Sequence, residues 1–412
     1  MASHCAVRAV CAAGVYGSLT SNWMRVKLSR HDGEGRCVFP ATDAATDLRV
    51  LLATILAGAE PLWCAVTTEV THELVKCAHQ EGVLALVDKR LRELPAGDLA
   101  APPKVRQAFL AATRSEALSS MLLQAEALRV LSLMAEAGIP GLLLKGSALA
   151  YWAYSQPHLR ACSDVDLLLP SREAAEQLSD RLTASGYERS KTSGELVAYE
   201  LLCRRSVSDD WQIEIDIHWR LANSPLFANV FTFDELMADS VALPNLAPNA
   251  RGLGPVHALI HACVHRALNL SIGVGDKLKW QYDLELVRAN FTPADWRRLV
   301  DLSIRKGLAG VVLDALGNAA RTFESQLPHE WTTALARAGS AETLDARRLS
   351  DWRYMQHRTF KSLPTAILKL RWLWQRVFPS IDYLRHLYGT QHKSYCYLIL
   401  LRSRQVFKLL KR

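Results

Sequence analysis

The chain has 412 residues, half of them apolar and 22% charged, which is ordinary globular usage and enough length for two or three domains with real cores. Nine cysteines without a CxxC pair argue against a disulfide framework or a structural zinc site and for a reducing compartment. The net charge of +8 is local: residues 365–412 hold ten Lys and Arg against one acid, Asp382, which leaves the other 364 residues at −1, so charge alone does not make the body a nucleic-acid binder.

In chain order, residues 1–45 form a basic stretch with no acid before Asp32. They lack the apolar segment of a signal peptide, and a disordered extension is expected there. No uninterrupted apolar run reaches the roughly 18 residues of a membrane span, so the expected location is cytoplasmic. Residues 46–138 show helical periodicity, in "DLRVLLATILAG" and "THELVKCAHQEGVLALVDKRLREL". After the break at Pro102-Pro103, a long amphipathic helix is predicted over 104–137, ending at Gly138.

The pattern then changes. Over 139–225 the sequence predicts a strand at 141–145, a helix at 147–154 and a buried strand at 164–169. "SREAAEQLSDRLTASG" opens on a capping Ser and closes on Gly, the marks of a helix. Two alternating runs, 196–205 and 211–221, flank a polar "SVSDD" and predict a β-hairpin. Residues 226–340 return to helix, near 254–270, 277–290, 294–306 and 307–320. Residues 341–412 form a basic helical region. The fold class is therefore α+β, a small mixed sheet between helical regions.

The chemistry lies in the α/β unit. Asp164 and Asp166 project from one face of their strand, with Val165 opposite. Two adjacent carboxylates repel unless a cation lies between them. Lys/Arg partners are the plain explanation; a divalent ion on hard oxygen ligands is the functional one. In "IEIDIHW", Glu214, Asp216 and His218 share one face and three isoleucines the other. A solvated outer face would also produce that pattern. Gly146-Ser147, between a strand and a helix, suits close approach of a phosphate, although alone it is commonly a plain helix start.

The order is strand, Gly-Ser, helix, Asp-x-Asp strand, acidic strand. It resembles the nucleotidyltransferase superfamily that includes polymerase β. "LLLKGSALA", "LRACSDVDLLLP", "EIDIHWRL" and "FPSIDYLRHLYG" narrow the resemblance to a bacterial family of uncharacterised nucleotidyltransferases, over roughly residues 47–410. The resemblance implies Mg²⁺ as cofactor, as two ions with Mn²⁺ the alternative, held by Asp164, Asp166 and Asp216. It implies that Asp216 orients or deprotonates the attacking hydroxyl. Gly146 and Ser147 would hold phosphates, with Lys145, Arg160 and Ser163 as further nucleotide-binding candidates. Lys145 and Arg160 serve equally well as structural partners of an acid. The helical region after the sheet would cover the nucleotide, where Lys277, Lys279 and Asp283 are candidates for contact.

The implied reaction moves a nucleoside monophosphate from an NTP, such as ATP, onto an acceptor hydroxyl or phosphate. The acceptor is left open among three classes: a small molecule, a peptide or a protein. Nucleic acid is not the expected partner. A noncatalytic NTP-binding or partner-binding protein on the same fold is the alternative. His257, His261 and His265 recur every four residues on one helix face; they suit a metal, a packed interface or a ligand phosphate. The tail, with "TAILKLRWLWQRVF" and "SYCYLILLRSRQVFKLLKR", is a candidate for peripheral contact with an anionic membrane, the terminal helix more than the one before it.

Overall fold

The computed structural model describes residues 44–59, 63, 66–94, 101–190, 198–208, 211–388 and 393–410. The basic extension, up to residue 43, lies outside the described residues. The N-terminal helices are α1 (Ala44–Leu56), α2 (Thr68–Glu81), α3 (Leu84–Glu93) and the long α4 (Pro103–Glu136). Thr67 caps α2 through its side chain, and Pro103 opens α4, where a missing N–H costs nothing.

The sheet has seven strands, β1 (Leu142–Leu143), β2 (Asp164–Leu168), β3 (Glu188–Arg189), β4 (Glu200–Ser208), β5 (Trp211–His218), β6 (Val241–Ala242) and β7 (Arg251–Gly252), in the order β3-β4-β5-β2-β1-β7-β6. Helices α5 (Lys145–Trp152), α6 (Arg172–Ala184) and α7 (Phe233–Ala238) lie between strands. The hairpin expected over 196–221 is β4–β5, paired antiparallel. The strand expected at 141–145 is shorter, two residues long. Lys145 ends it by entering the left-handed region at φ 49° and starting α5 at once. Strands β6 and β7 were not legible in the sequence, because two-residue strands carry no period.

Alternation across this sheet divides the molecule. Val165 and Leu167 on β2, Leu169 just after it, and Ile213, Ile215 and Ile217 on β5 are buried with α6 and the second half of α4 in one core. Leu142 and Leu168 point the other way, into a larger core built from α1 to α3, the start of α4, α8 (Pro255–Ser271), α9 (Leu278–Ala289), α10 (Pro293–Arg305), α11 (Ala309–Thr322) and α12 (His329–Gly339). The acidic residues of β2 and β5 lie on this second face.

By length and composition α4 is able to cross a membrane. A third of its most apolar window is buried in the fold, and its buried Glu126 accepts hydrogen bonds from Tyr187 and Arg205, tying it to the β4 hairpin. The chain ends in α13 (Trp352–Ser362), α14 (Ala366–Val377), α15 (Ile381–Tyr388) and α16 (Tyr395–Leu410).

Candidate active site

Strands β2 and β5 run parallel in a register that sets Asp166 beside Asp216, Asp164 beside Glu214 and Leu168 beside His218. Period two does the rest: Asp164, Asp166, Asp216 and His218 share one face. Among the described residues, one group of His, Cys, Asp and Glu has converging ligand atoms: Asp166, Asp216 and His218, all within 4.8 Å of one another. Asp164 stands outside that group. It lies one pleat along β2, in a neighbouring cleft.

The cluster is buried, with Asp166 at 2% and His218 at 3% exposure, so its charges need partners. Lys145 supplies one: its Nζ lies 2.6 Å from Asp166 Oδ1. His218 Nε2 is 3.3 Å from the same oxygen, and Glu200 Oε2 is 3.4 Å from His218 Nδ1. Burial alone would raise the Asp166 carboxyl, but the Lys145 ammonium and then His218 overcome it and hold Asp166 well below the usual carboxylate range. Burial likewise opposes the charge on Lys145, and Asp166, then Asp164, hold its ammonium above the ordinary lysine range. Among the described residues, Asp216 has no such cationic partner in hydrogen-bond contact. Burial, then the neighbouring Asp166 carboxylate, push its carboxyl up to about 7. Burial and Asp166 raise Asp164 as well.

Gly146 and Ser147 have clear local roles. A Cβ at Gly146 would stand 2.6 Å from Cys162 Sγ and 2.9 Å from Arg160 Nη1, so only glycine lets the first turn of α5 lie on the segment entering β2. Ser147 Oγ donates to the Asp164 carbonyl and accepts from the Asp166 N–H. It therefore staples α5 to the acidic strand, whatever else it contacts. Arg160 is fully committed to protein: Nε and Nη2 donate to Asp283 at 2.8 and 2.7 Å, and Nη1 donates to the Ala161 carbonyl. Tyr154 donates to Asp283 too. Asp283, a candidate ligand contact in the sequence, is buried as the acceptor that pins the approach to β2 onto α9. Ser163 Oγ faces Asp164 Oδ1 at 3.4 Å.

Two cavities meet at Lys145, His261 and His265. The smaller, about 190 Å³, is lined by Gly146, Ser163, Asp164, Asp166, Lys277 and Lys279 among others. The larger, about 670 Å³, takes Asp216, His218 and Glu200 on its wall and reaches α13, α14 and α16. His265 meets the Trp280 ring edge-on at 5.0 Å beside the smaller cavity. Burial, and then Lys145, lower the His261 imidazole to about 3, so it is neutral. The three-histidine face does not converge on one point. His257 turns instead to Asp239, with Nδ1 2.8 Å from Oδ2. His218 is the residue that sequence reasoning weighed without committing to; its signal was its place on the acidic face of "EIDIH".

The donor set of two carboxylates and an imidazole fits a divalent ion. The carboxylate oxygens suit Mg²⁺ or Mn²⁺, and the imidazole favours Mn²⁺ or another transition metal over Mg²⁺. The repulsion that raises Asp216 is the kind a bound cation relieves.

The family described as uncharacterised nucleotidyltransferase matches residues 68–324, a span that contains the sheet, both cavities' acidic residues and α8 to α11. No curated protein matches the chain. Among solved structures, an antigenic nucleotidyltransferase-like protein from Paracoccidioides brasiliensis is similar at 13% identity and TM-score 0.32, over 52% of this chain and 92% of that one.

Proposed function

The chain belongs to the uncharacterised nucleotidyltransferase family, and on that premise we propose that it transfers a nucleoside monophosphate from an NTP to an acceptor, with a divalent metal ion as cofactor. The observation that carries this reading is the parallel pairing of Asp166 with Asp216, with Asp164 one pleat away beside a basic cleft. Paired carboxylates at the edge of a cationic phosphate pocket are what in-line phosphoryl transfer needs.

In this reading Asp164, Asp166 and Asp216, with His218, hold Mg²⁺ or Mn²⁺, which when bound neutralises phosphate charge. Lys277 and Lys279 attract the triphosphate into the smaller cavity, whose wall Gly146 and Ser163 line. Trp280 and His265 offer aromatic surface to the base. Asp216 orients the acceptor hydroxyl and takes its proton as the new bond to the α-phosphorus forms. The bond from that phosphorus to the bridging oxygen breaks, and pyrophosphate leaves on the lysine side. Arg160 acts at a distance, by fixing the strand that carries the acids.

The Lys145–Asp166 pair favours a second reading: a protein that binds nucleotide without turning it over, its ammonium standing in for the metal charge. Calorimetric titration with the Mg²⁺ and Mn²⁺ complexes of ATP, CTP, GTP and UTP, followed by a pyrophosphate assay, separates the two. Absence of binding by every NTP sinks both. Binding without pyrophosphate release across acceptor classes selects the second. We also propose a cytoplasmic location with peripheral membrane contact through the C-terminal helices, supported by the outward apolar face of α14.

A further inference from the structure

We propose that the middle of α4 is a dimerisation surface: a second copy of this chain lays its own α4 antiparallel against it, about a two-fold axis that passes between Leu118 and Met121. The inference stands apart from the nucleotidyl-transfer reading and does not depend on it.

The surface begins in the sequence. Ala111, Arg114, Leu118, Met121, Ala125 and Leu128 follow one another at alternating steps of three and four residues, the a and d seam of a coiled coil. All six are exposed, Leu118 at 60% and Met121 at 67%. The helix does not use this seam for its own packing. Val105 and Phe109 anchor its start in the larger core, and Leu123, Ala127 and Val130 anchor its second half in the core behind the sheet. Between those anchors, all nine residues from Arg114 to Leu122 are exposed or half-buried. A helix that crosses water between two cores is expected to be polar all round. This one keeps Ala117, Leu118, Met121 and Leu122 there, and its most apolar window is 33% buried.

The seam is complementary to itself. In the antiparallel register its layers pair Ala111 with Leu128, Arg114 with Ala125 and Leu118 with Met121, and each layer recurs across the axis, as an isologous contact requires. A small residue meets a large one in the outer layers. The Arg114 stem covers Ala125 while its guanidinium reaches water. A parallel pair would instead set Arg114 against Arg114 and alanine against alanine, which opposes like charges and leaves gaps. Antiparallel, the two Arg114 residues stand about 16 Å apart along the axis, beyond the screening length of about 8 Å at physiological salt. A lipid surface asks for cations along the margins of the apolar stripe; here the single charge from Ala111 to Leu128 on this seam is Arg114, inside it. From residue 111 to 128 the seam runs about 26 Å. With Leu110 and Leu122 at its flanks it buries on the order of 1,000 Å² in total, the lower bound of a specific interface. The dimer is therefore a reversible one, with Kd on the order of 10 μM.

The test is sedimentation equilibrium of the full chain over about 1–200 μM, a range that brackets the expected Kd, with circular dichroism to check the fold of each variant. The wild type should pass from monomer to dimer across it. Leu118→Glu with Met121→Glu changes two exposed side chains and should raise Kd at least roughly hundredfold. Ala125 reads the orientation. Antiparallel, Ala125→Glu faces the partner's Arg114 and should tighten the dimer by roughly threefold at low salt, whereas Ala125→Lys should weaken it by a similar factor. In a parallel pair both substitutions would place like charges opposite each other and weaken it. A monomer throughout the range overturns the proposal, whether or not the chain then binds phosphatidylcholine vesicles through Leu118 and Met121. A dimer indifferent to Leu118→Glu with Met121→Glu, or one that Ala125→Glu fails to tighten, overturns it as well.

Discussion

Lys145 Nζ lies 2.6 Å from Asp166 Oδ1, and the residue that reaches it has a left-handed backbone, φ 49°. The conformation costs about 1 kcal/mol in a non-glycine residue. It is held because β1 must stop and α5 must begin at that point, which throws the lysine side chain across the acid cluster. The ammonium is the built-in countercharge of the metal-free site. Lys145→Gln should therefore destabilise the metal-free protein by about 3 kcal/mol, the lower end for removing one partner of a buried pair. Added Mn²⁺ should restore more stability to the variant than to the wild type. Thermal unfolding in EDTA and in Mn²⁺ measures both terms; an equal response to metal in the two proteins would show that Lys145 does not share Asp166 with a cation.

The two acids of β2 should behave differently. Asp164 is disfavoured as a charge by burial and then by Asp166, so Asp164→Asn should stabilise the metal-free protein, on the order of 1 kcal/mol. Asp166→Asn leaves the Lys145 ammonium without its partner and should destabilise it. Both variants should lower pyrophosphate release by on the order of 100-fold. Chemical denaturation beside a pyrophosphate assay reads the contrast, and equal stability of the two variants would contradict it.

Arg160 and Asp283 form a bidentate pair in the interior, joined by the Tyr154 hydroxyl. Arg160→Ala leaves a buried carboxylate without its cation and should cost about 3–5 kcal/mol. Arg160→Met combined with Asp283→Leu should recover most of that loss, since no charge is then stranded. If the double variant is as unstable as the single one, the pair is not what fastens the β2 approach to α9.

How much of this was legible can be traced residue by residue. The shared face of Glu214, Asp216 and His218 followed from a period of two, and so did the hairpin that carries them. The parallel register that sets Asp166 beside Asp216 did not, because pairing between strands about fifty residues apart leaves no mark in either one. Gly146 looked like a phosphate turn; its tightest neighbours are Cys162 and Arg160, a packing constraint invisible in the sequence. Arg160 and Asp283 were both singled out, yet nothing in spacing could join residues on different elements into one pair. The histidines at 257, 261 and 265 showed their periodicity, but only coordinates separate His257, turned to Asp239, from the two that face the cavities.

His261 sets a pH dependence. Its imidazole is lowered to about 3 by burial, then by Lys145, with His218 acting in the same direction and Asp166 against it. The folded value lies below the unfolded one, near 6.5. Between the two, the unfolded chain binds a proton that the native protein does not. The stabilising contribution is thus fully present above about pH 6.5 and is lost as the pH falls, by up to about 1.4 kcal/mol per pH unit. His265, also lowered well below its ordinary value by burial, adds a term of the same sign. Urea midpoints between neutral and mildly acidic pH should fall in the wild type and fall less steeply in His261→Gln. Parallel slopes would mean that His261 is protonated within the fold.

The C-terminal helices invite a lipid surface. Trp372 turns inward on α14, while Ile367, Leu370, Trp374 and Val377 are exposed, Leu370 at 66% and Trp374 at 60%. The spacing places these four on one helical face. The exposed Arg371 lies on the same helix, within a tail whose net charge is +9. A basic helix with an outward apolar and aromatic face matches an anionic bilayer, where buried apolar area and lipid charge add. The sequence pointed first to the terminal helix. In the fold that helix buries Leu398 and supplies Arg402 to the larger cavity, so deleting it would disturb more than membrane contact. Point substitution on α14 is cleaner. The full chain should partition onto vesicles rich in phosphatidylserine and not onto phosphatidylcholine alone, and Leu370→Glu with Trp374→Glu should reduce that partitioning roughly tenfold or more, since each substitution removes an exposed apolar side chain that would enter the bilayer and adds like charge to the surface. Co-sedimentation at low and physiological salt reads the result. Negligible binding to both vesicle types would leave the exposed face of α14 without a lipid role.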